Sequence, residues 1–318
     1  MDMIQRMGHS MTFLRQVWKN KAVLRRLLGS DNFAFVRDYP PGHFYSPIPD
    51  LRELRQQARV IRDETVENLA GIELNEMRQL EMIDRFAQIY GELPFPDEQS
   101  RQFRYFFDNP YFSYGDGVIL YCFLRSFRPE RIVEVGSGFS SAEMLDVNDM
   151  FFDRTVEFIF IEPRPERLYS LLSERDKRSY RIEVTPVQEV DVAAFRSLAQ
   201  NDVLFVDGSH VGKSHSDVLH ILFEILPKLN KGVLVHFHDV MWPFEYPQSW
   251  LEEGKAFNEA YFLRAFLQYN SAFEILFFNS FMMAQHGELL RVKMPRMLKS
   301  PSTPETIGNS SLWLRKVA

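Results

Sequence analysis

Residues 131–141 read Arg-Ile-Val-Glu-Val-Gly-Ser-Gly-Phe-Ser-Ser, and this stretch decides the fold. The β-branched run at 132–135 predicts a short strand, and the segment 140–149 predicts a helix directly after it. Gly136 and Gly138 allow a tight turn between the two and let a ligand approach the backbone closely. The order of strand, glycine turn and helix is typical of the first unit of a ligand-binding α/β sheet.

The alternation of strands and helices continues after this turn. Further strands are predicted at 158–161, 182–184, 203–206 and 233–237. The helices between them are predicted at 164–173, 192–199 and 214–226. Such alternation predicts a parallel sheet that is covered by helices on both faces. A helix is then expected at 258–268, and a last pair of strands at 273–278 and 281–284. This terminal hairpin is uncommon in a plain dinucleotide-binding domain.

The pattern divides the chain into three predicted parts. Residues 1–115 form a helical and loop extension, 116–292 the α/β domain, and 293–318 a C-terminal tail. In the extension, the Pro-rich segment 41–49 predicts an irregular loop that can serve as a lid. Residues 1–30 carry scattered Lys and Arg with apolar residues at helical spacing. We favour packing of this basic helix on its own fold or on a dimer mate over contact with a membrane surface.

Composition narrows the classes of function. The 318 residues, 45% of them hydrophobic, can bury a large α/β core. The net charge of −6 argues against general nucleic-acid binding, because phosphate recognition needs a basic surface. The one cysteine, Cys122, cannot form an intrachain disulfide and suits a reducing cytoplasm. No apolar run reaches the roughly 20 residues of a membrane-spanning helix, and the charges near the N-terminus are unlike a secretory signal.

Two acidic residues accompany the glycine turn. Glu134 directly precedes the glycines, where a carboxylate can accept a hydrogen bond from an ammonium group. Glu162 ends the second strand, where a carboxylate can accept both ribose hydroxyls of an adenosine. The dinucleotide pattern requires glycine at the position of Ser141, so the motif favours an adenosine cofactor other than NAD. Taken singly, each motif also fits a tight turn or a solvated acid without a ligand.

Ionisable residues follow the fourth and fifth strands. Asp207 and His210 belong to Phe-Val-Asp-Gly-Ser-His, and His238 and Asp239 end His-Phe-His-Asp. Parallel strands end at the same edge of a sheet, so these side chains are expected near the glycine turn. Carboxylates and imidazoles bind divalent cations or act as general bases. Helix capping and loop hydrogen bonds are the third interpretation.

Strand alternation decides whether these four side chains can converge. In a regular strand, His236 and His238 share one face while Asp239 points to the other. All four can meet only if the strand ends at Phe237.

A rigid aromatic loop is predicted after the fifth strand. Residues 242–250 read Trp-Pro-Phe-Glu-Tyr-Pro-Gln-Ser-Trp, with two prolines and four aromatic residues. Such a loop can wall a substrate pocket and exclude water. A packing lid or a dimer contact is the alternative.

In combination, the motifs resemble class I S-adenosylmethionine-dependent methyltransferases, and more closely a bacterial O-methyltransferase group that is similar to methyltransferase family 24. The resemblance covers the chain from about 41 to 282 and is carried by Glu134-Val-Gly-Ser-Gly-Phe-Ser-Ser, Phe160-Ile-Glu-Pro, Phe205-Val-Asp-Gly-Ser-His and His236-Phe-His-Asp, together with Gly42-His-Phe-Tyr-Ser-Pro, Pro243-Phe-Glu-Tyr-Pro, Asn258-Glu-x-Tyr and Arg264-Ala-Phe-Leu. It implies a Rossmann-like, seven-stranded, mostly parallel sheet with a reversed last strand. Residues 116–292 would then be the S-adenosylmethionine-binding domain.

The resemblance also implies roles for individual residues. The residues predicted to bind the cofactor are Glu134, Gly136, Ser137, Gly138, Glu162, Gln188 and Asp207. Among them, Glu162 would hold the ribose, and Gln188, with Glu189 beside it, would lie near the adenine. Metal-dependent relatives place acids where this chain has Asp207 and Asp239, often with two adjacent polar ligands after the fifth strand. Here that adjacent pair is His238 and Asp239.

The sequence therefore predicts an S-adenosylmethionine-dependent methyltransferase that acts on a hydroxyl of a small molecule or sugar. His210, His238 or Asp239 would accept the proton of that hydroxyl, and Mg²⁺ or another divalent cation would bind at Asp207 and Asp239. An NAD-dependent oxidoreductase and a non-catalytic S-adenosylmethionine-binding scaffold are the alternatives. We expect a small-molecule acceptor as partner, no nucleic acid, a cytoplasmic location, and a chain that can form a homo-oligomer.

Overall fold

The computed structural model describes residues 34, 37–61, 66, 68–303 and 307–318. Its contacts divide the chain into a smaller unit, Met1–Arg59 with Gln248–Ala256, and a larger unit made of the remaining residues. The predicted basic helix at 1–30 lies outside the described residues. In the part of the chain that is described, no helix has the length and apolar character needed to cross a membrane.

A seven-stranded sheet forms the centre of the larger unit. Its strands are β1 Arg131–Val135, β2 Glu157–Ile161, β3 Arg181–Glu183, β4 Val203–Val206, β5 Leu234–Phe237, β6 Phe273–Phe278 and β7 Leu312–Lys316. The strand order is β3-β2-β1-β4-β5-β7-β6. β1 to β5 are parallel, and β7 runs antiparallel to both of its neighbours. The predicted sheet with a reversed last strand is confirmed.

Helices connect the strands of the larger unit, and further helices precede its sheet or belong to the smaller unit. They are α1 Leu51–Ile61, α2 Glu76–Tyr90, α3 Tyr114–Phe127, α4 Phe139–Phe151, α5 Glu166–Leu171, α6 Glu174–Ser179, α7 Ala193–Arg196, α8 Asp217–His220, α9 Gln248–Glu252, α10 Glu259–Leu267 and α11 Asn279–Lys293. α8 continues through a π-helical turn, Ile221–Ile225, and a 3₁₀ turn, Leu226–Lys228. In the smaller unit, Arg55 Nε donates to Glu252 Oε1 at 3.1 Å.

The central strands are almost entirely apolar because they lie in the core. Every residue of β4 and β5 is buried, as expected for parallel strands with helices on both faces. The indole of Trp313, on β7, stacks on Phe123 of α3 with ring centroids 3.9 Å apart. This contact fixes the reversed strand to the helix that leads into β1.

The last part of the sheet differs from the prediction. The predicted strand at 281–284 is wrong, because these residues belong to α11. Phe-Met-Met-Ala is a short apolar run, and such a run does not distinguish a strand from a buried helix. The strand that pairs with β6 comes instead from Leu312–Lys316, so the segment 293–318, predicted as a tail, supplies part of the sheet.

Candidate active site

The glycine turn packs directly against the end of β4. Gly136 has a φ of 81°, and its backbone N–H donates to the Ile161 carbonyl at 3.0 Å. A Cβ added to Gly136 would lie 1.7 Å from the carbonyl oxygen of Asp207. Only glycine fits this position, because both the left-handed backbone and the close approach exclude a side chain. The turn therefore brings the ends of β1, β2 and β4 together.

Glu134 lies beneath this turn. Its carboxylate is fully buried and accepts hydrogen bonds from Ser140 Oγ, at 2.6 Å, and from Ser141 Oγ. The Gly138 N–H in turn donates to Ser141 Oγ at 2.9 Å. Burial raises the pKa of Glu134 to about 8, although hydrogen bonds from the serines act in the opposite direction. The structure thus places Glu134 where it holds the turn and the start of α4 in position.

A cavity of about 390 Å³ opens above the turn. Its lining includes four of the predicted cofactor residues: Gly136, Glu162, Gln188 and Asp207. Ser137 and Gly138 belong to the adjoining turn, while Glu134 is covered by it. The volume falls within the range of about 300–1,000 Å³ that is usual for small-molecule sites.

Glu162 is fixed at the edge of this cavity by two backbone N–H groups. Ser137 donates to its Oε2 at 3.1 Å, and Arg164 donates to its Oε1 at 2.8 Å. Gln188 is held from the other side, because its Nε2 donates to the His215 carbonyl at 2.8 Å. Both side chains are therefore oriented before any ligand binds.

A cluster of carboxylates and imidazoles lies beside the cavity. β5 ends at Phe237, and Asp239 has a φ of 56°, so the chain turns and both His238 and Asp239 face Asp207. One potential ligand atom from each of these three residues lies within 4.8 Å of the others. The condition for convergence, an early end to the strand, is met.

His210 completes this cluster. Its Nε2 lies 3.3 Å from Asp207 Oδ1 and 3.4 Å from Asp239 Oδ2, and its Nδ1 lies 2.9 Å from Glu259 Oε2. Burial lowers the pKa of His210, but the bonds to Asp207 and Glu259 outweigh burial and raise it well above the ordinary value. Glu259, at the start of α10, thereby fixes the direction in which the imidazole points.

The pKa values of Asp207 and His238 are likewise set by burial and by the charges around them. Burial acts to raise the pKa of Asp207, yet His238 and His210 bring it below the ordinary value. Burial acts to lower the pKa of His238, and the carboxylates of Asp207, Asp239 and Asp116 raise it instead. The cluster therefore favours an ionised Asp207 carboxylate next to positively charged imidazoles.

His236 takes no part in the cluster. Its ring is fully buried and stacks on Phe205 with centroids 3.8 Å apart. Burial lowers its pKa well below the ordinary value. His236 is a neutral residue of the core.

A second layer of polar groups supports Asp239. Ser310 Oγ donates to Asp239 Oδ1 at 3.2 Å and also lies 3.3 Å from Asp116 Oδ2. Asp116 is fully buried in α3 and accepts further bonds from Ser311 Oγ at 2.6 Å and Asn279 Nδ2 at 2.9 Å. Sequence reasoning missed this layer and Glu259. The available signals were an acid inside an apolar helical run and the motif Asn258-Glu-x-Tyr.

The residues present fit both a polar cofactor and a divalent cation. Among the described residues, His238 Nδ1 in the cluster is buried without a hydrogen-bond partner. Two carboxylates with an imidazole are a donor set that suits several divalent metal ions. A buried polar atom without a partner is costly, so a ligand that supplies one would be stabilised here.

Part of the chain matches a known protein family. A family model described as a methyltransferase domain matches residues 133–240. An uncharacterized protein from Archaeoglobus fulgidus is 35% identical over 167 residues, which cover 51% of this chain and 75% of the relative.

Two solved structures have a distant similarity to this chain. An apo structure of CmcI is 16% identical to this chain. The alignment covers 73% of this chain and 84% of the CmcI chain, with a TM-score of 0.39. The O-methyltransferase TomG from Streptomyces achromogenes is involved in tomaymycin synthesis, and its structure was solved with S-adenosylmethionine. It is 15% identical to this chain. The alignment covers 75% of this chain and 90% of the TomG chain, with a TM-score of 0.39.

Proposed function

The chain carries a methyltransferase domain, which the family model matches at residues 133–240, and from this premise we propose that it is a class I S-adenosylmethionine-dependent methyltransferase that methylates a hydroxyl group of a small molecule. One observation carries the choice of site. Asp207 lines the cavity above the glycine turn and is also a member of the carboxylate–imidazole cluster. A methyl donor in the cavity would thus lie next to groups that can accept a proton.

The cofactor is proposed to bind along the glycine turn. Glu162, held by two N–H groups, would accept the ribose hydroxyls, and Gln188 would lie at the adenine end. The cavity lining thus combines a fixed carboxylate with exposed backbone, as adenosine recognition requires.

The chemistry required of the protein is modest. The methyl group moves by direct displacement: the bond between the acceptor oxygen and the methyl carbon forms as the carbon–sulfur bond breaks, and the electron pair stays on sulfur. The protein has to align the hydroxyl and accept its proton. Of the three predicted bases, His238 has a ring nitrogen without a partner among the described residues, whereas both nitrogens of His210 face carboxylates. His238, once it has lost its own proton, is the proposed base of a metal-free site.

The same cluster is proposed to hold a divalent cation when one is present. Asp207 and Asp239, the predicted ligands, would be joined by His238. When bound, the cation would supply positive charge that favours the deprotonated hydroxyl. The clamp between Glu259 and His210 would keep the two carboxylates in place.

Binding and turnover test the proposal separately. Isothermal titration calorimetry with S-adenosylhomocysteine should show binding to the wild type, a large loss with Glu162→Ala, and no binding of NADH. Formation of S-adenosylhomocysteine from S-adenosylmethionine with a panel of hydroxyl compounds, with EDTA or with Mg²⁺, then separates the metal-free site from the cation site. A folded wild type that binds no S-adenosylhomocysteine would refute the proposal.

A further inference from the structure

A small cavity of about 230 Å³ lies within the larger unit, between α2, the end of α3 and the strands β6 and β7. Three arginines line it: Arg78 and Arg85 from α2, and Arg315 from β7. Arg315 pairs with Leu234, the first residue of β5, so the cavity lies at the edge of the sheet where the parallel strands begin. The glycine turn and the carboxylate–imidazole cluster lie at the other edge, where these strands end.

Nearby carboxylates neutralise only part of this positive charge. Glu274 of β6 accepts a hydrogen bond from Arg78 Nη1, and its other oxygen lies 3.8 Å from Arg315 Nη1. Glu81, the acid in the lining, is exposed on α2 and forms no ion pair with any residue that the structure describes. A single bonded carboxylate therefore serves two of the three guanidinium groups.

Arg85 has no carboxylate partner within the described part of the chain. Its Nη2 donates to the Ser126 carbonyl at the end of α3, and its guanidinium carbon lies over the Phe127 ring, 5.0 Å from the centroid. The guanidinium carbon of Arg315 lies 5.3 Å from the centroid of the same ring. Two like charges are therefore held at one aromatic side chain.

This concentration of positive charge is unfavourable by itself. Burial and the charges of Arg78 and Arg85 lower the pKa of Arg315, although Glu274 acts in the opposite direction. The buried side chains of Met82 and Leu276 form the apolar part of the lining, and a low dielectric strengthens the repulsion between like charges. An anion bound between the arginines would replace this repulsion by attraction.

We propose that this cavity is an anion site that binds a phosphate group, either as the free ion or as a phosphate monoester. A guanidinium group presents its N–H donors as a planar fork that matches the oxygens of phosphate. A phosphate monoester carries a charge of about −1.5 to −2 at pH 7, which balances the two guanidinium groups that Glu274 leaves unneutralised. A carboxylate brings one charge and two oxygens, so it would serve only one of these arginines fully.

Calorimetry with three small anions tests the proposal on the full chain. Inorganic phosphate and glycerol 3-phosphate should each bind in a 1:1 ratio, and acetate should bind about tenfold more weakly or not at all. Tighter binding of glycerol 3-phosphate would identify the ligand as an ester, and tighter binding of phosphate would identify it as the free ion. Either result supports the site. The affinity for phosphate should be the same with and without S-adenosylhomocysteine, because the cofactor cavity lies at the other edge of the sheet.

Two substitutions on α2 should change the affinity for phosphate in opposite directions. Arg85→Gln should weaken binding about 10- to 100-fold, the loss expected from a hydrogen bond between charged groups. Glu81→Gln should strengthen binding about twofold, because it removes a negative charge from the lining. Arg175→Gln is the matched control, since Arg175 is an exposed arginine of α6 outside the cavity, and it should leave the affinity unchanged.

Four results would overturn the proposal. They are the absence of phosphate binding, binding of acetate with equal affinity, an equal affinity for phosphate in Arg85→Gln and the wild type, and competition between phosphate and S-adenosylhomocysteine. The last result would place the phosphate in the cofactor cavity. Weaker binding to Glu81→Gln would likewise contradict the electrostatic reasoning.

Discussion

Replacing Gly136 by alanine tests the architecture of the proposed cofactor site directly. The new methyl group would lie 1.7 Å from the Asp207 carbonyl oxygen, so the ends of β1 and β4 must separate by more than about 1 Å to reach ordinary contact. The left-handed backbone, with a φ of 81°, adds about 1–2 kcal/mol for a residue with a side chain. Together these effects should destabilise the fold by at least about 2 kcal/mol, which lowers the melting temperature by roughly 4–8 °C.

Binding should suffer as well, because Gly136 and Asp207 both line the cavity that the substitution distorts. We expect at least a tenfold loss of affinity for S-adenosylhomocysteine, measured by calorimetry below the melting temperature, and a larger loss of turnover, since displacement by about 1 Å can reduce rates about 100-fold. Gly91→Ala is the control, because a Cβ at Gly91 meets no atom within 4 Å. Wild-type affinity in Gly136→Ala, within about twofold, would refute the reasoning.

Three further predictions address the ribose contact, the acid stability and the packing of the reversed strand. Glu162→Gln should weaken S-adenosylhomocysteine binding about 10- to 100-fold in calorimetry, because hydrogen bonds to a charged acceptor contribute about 1.5–3 kcal/mol; a change below threefold would argue against a ribose contact. Burial alone would raise the pKa of Asp176, but hydrogen bonds from Arg104 and Ser173 lower it from 3.8 to about 2. The Asp176→Asn variant should therefore have a free energy of unfolding about 2 kcal/mol below that of the wild type above pH 4, measured by urea unfolding. This difference should shrink as the pH falls towards 2. A difference that persists at pH 2 would contradict this assignment. Trp313→Ala should lower the free energy of unfolding by about 3–5 kcal/mol, because it leaves a cavity against Phe123; a loss below 1 kcal/mol would show that the stack is dispensable.

The first five strands could be predicted because their signals are local. Each is a short run next to a helical stretch, apolar in every case except β3, and the glycine turn marks where the first strand ends. The same reasoning failed for β7, because its run Leu-Trp-Leu lies outside the alternation of strands and helices and pairs with β5 and β6 from a distant position. Strand alternation also left the orientation of Asp239 open, and the early end of β5 decided it.

The predicted site residues lie in short contiguous motifs, as the signals of these strands do. The supporting groups do not. Asp116 is bonded to Ser310 from 194 positions away, and His210 is bonded to Glu259 from 49 positions away. Spacing in the sequence carries no signal for such pairs. A buried acid in an apolar helix indicates only that a partner exists somewhere.

The placement of β7 between β5 and β6 has a consequence for biosynthesis. While the chain is being made, β5 is complete long before residues 312–316 emerge, and its outer backbone groups then form an unpaired, apolar edge. Such edges recruit other chains and promote aggregation. The yield of folded protein should therefore depend on how long that edge stays unpaired, so chaperones that bind the growing chain should raise recovery.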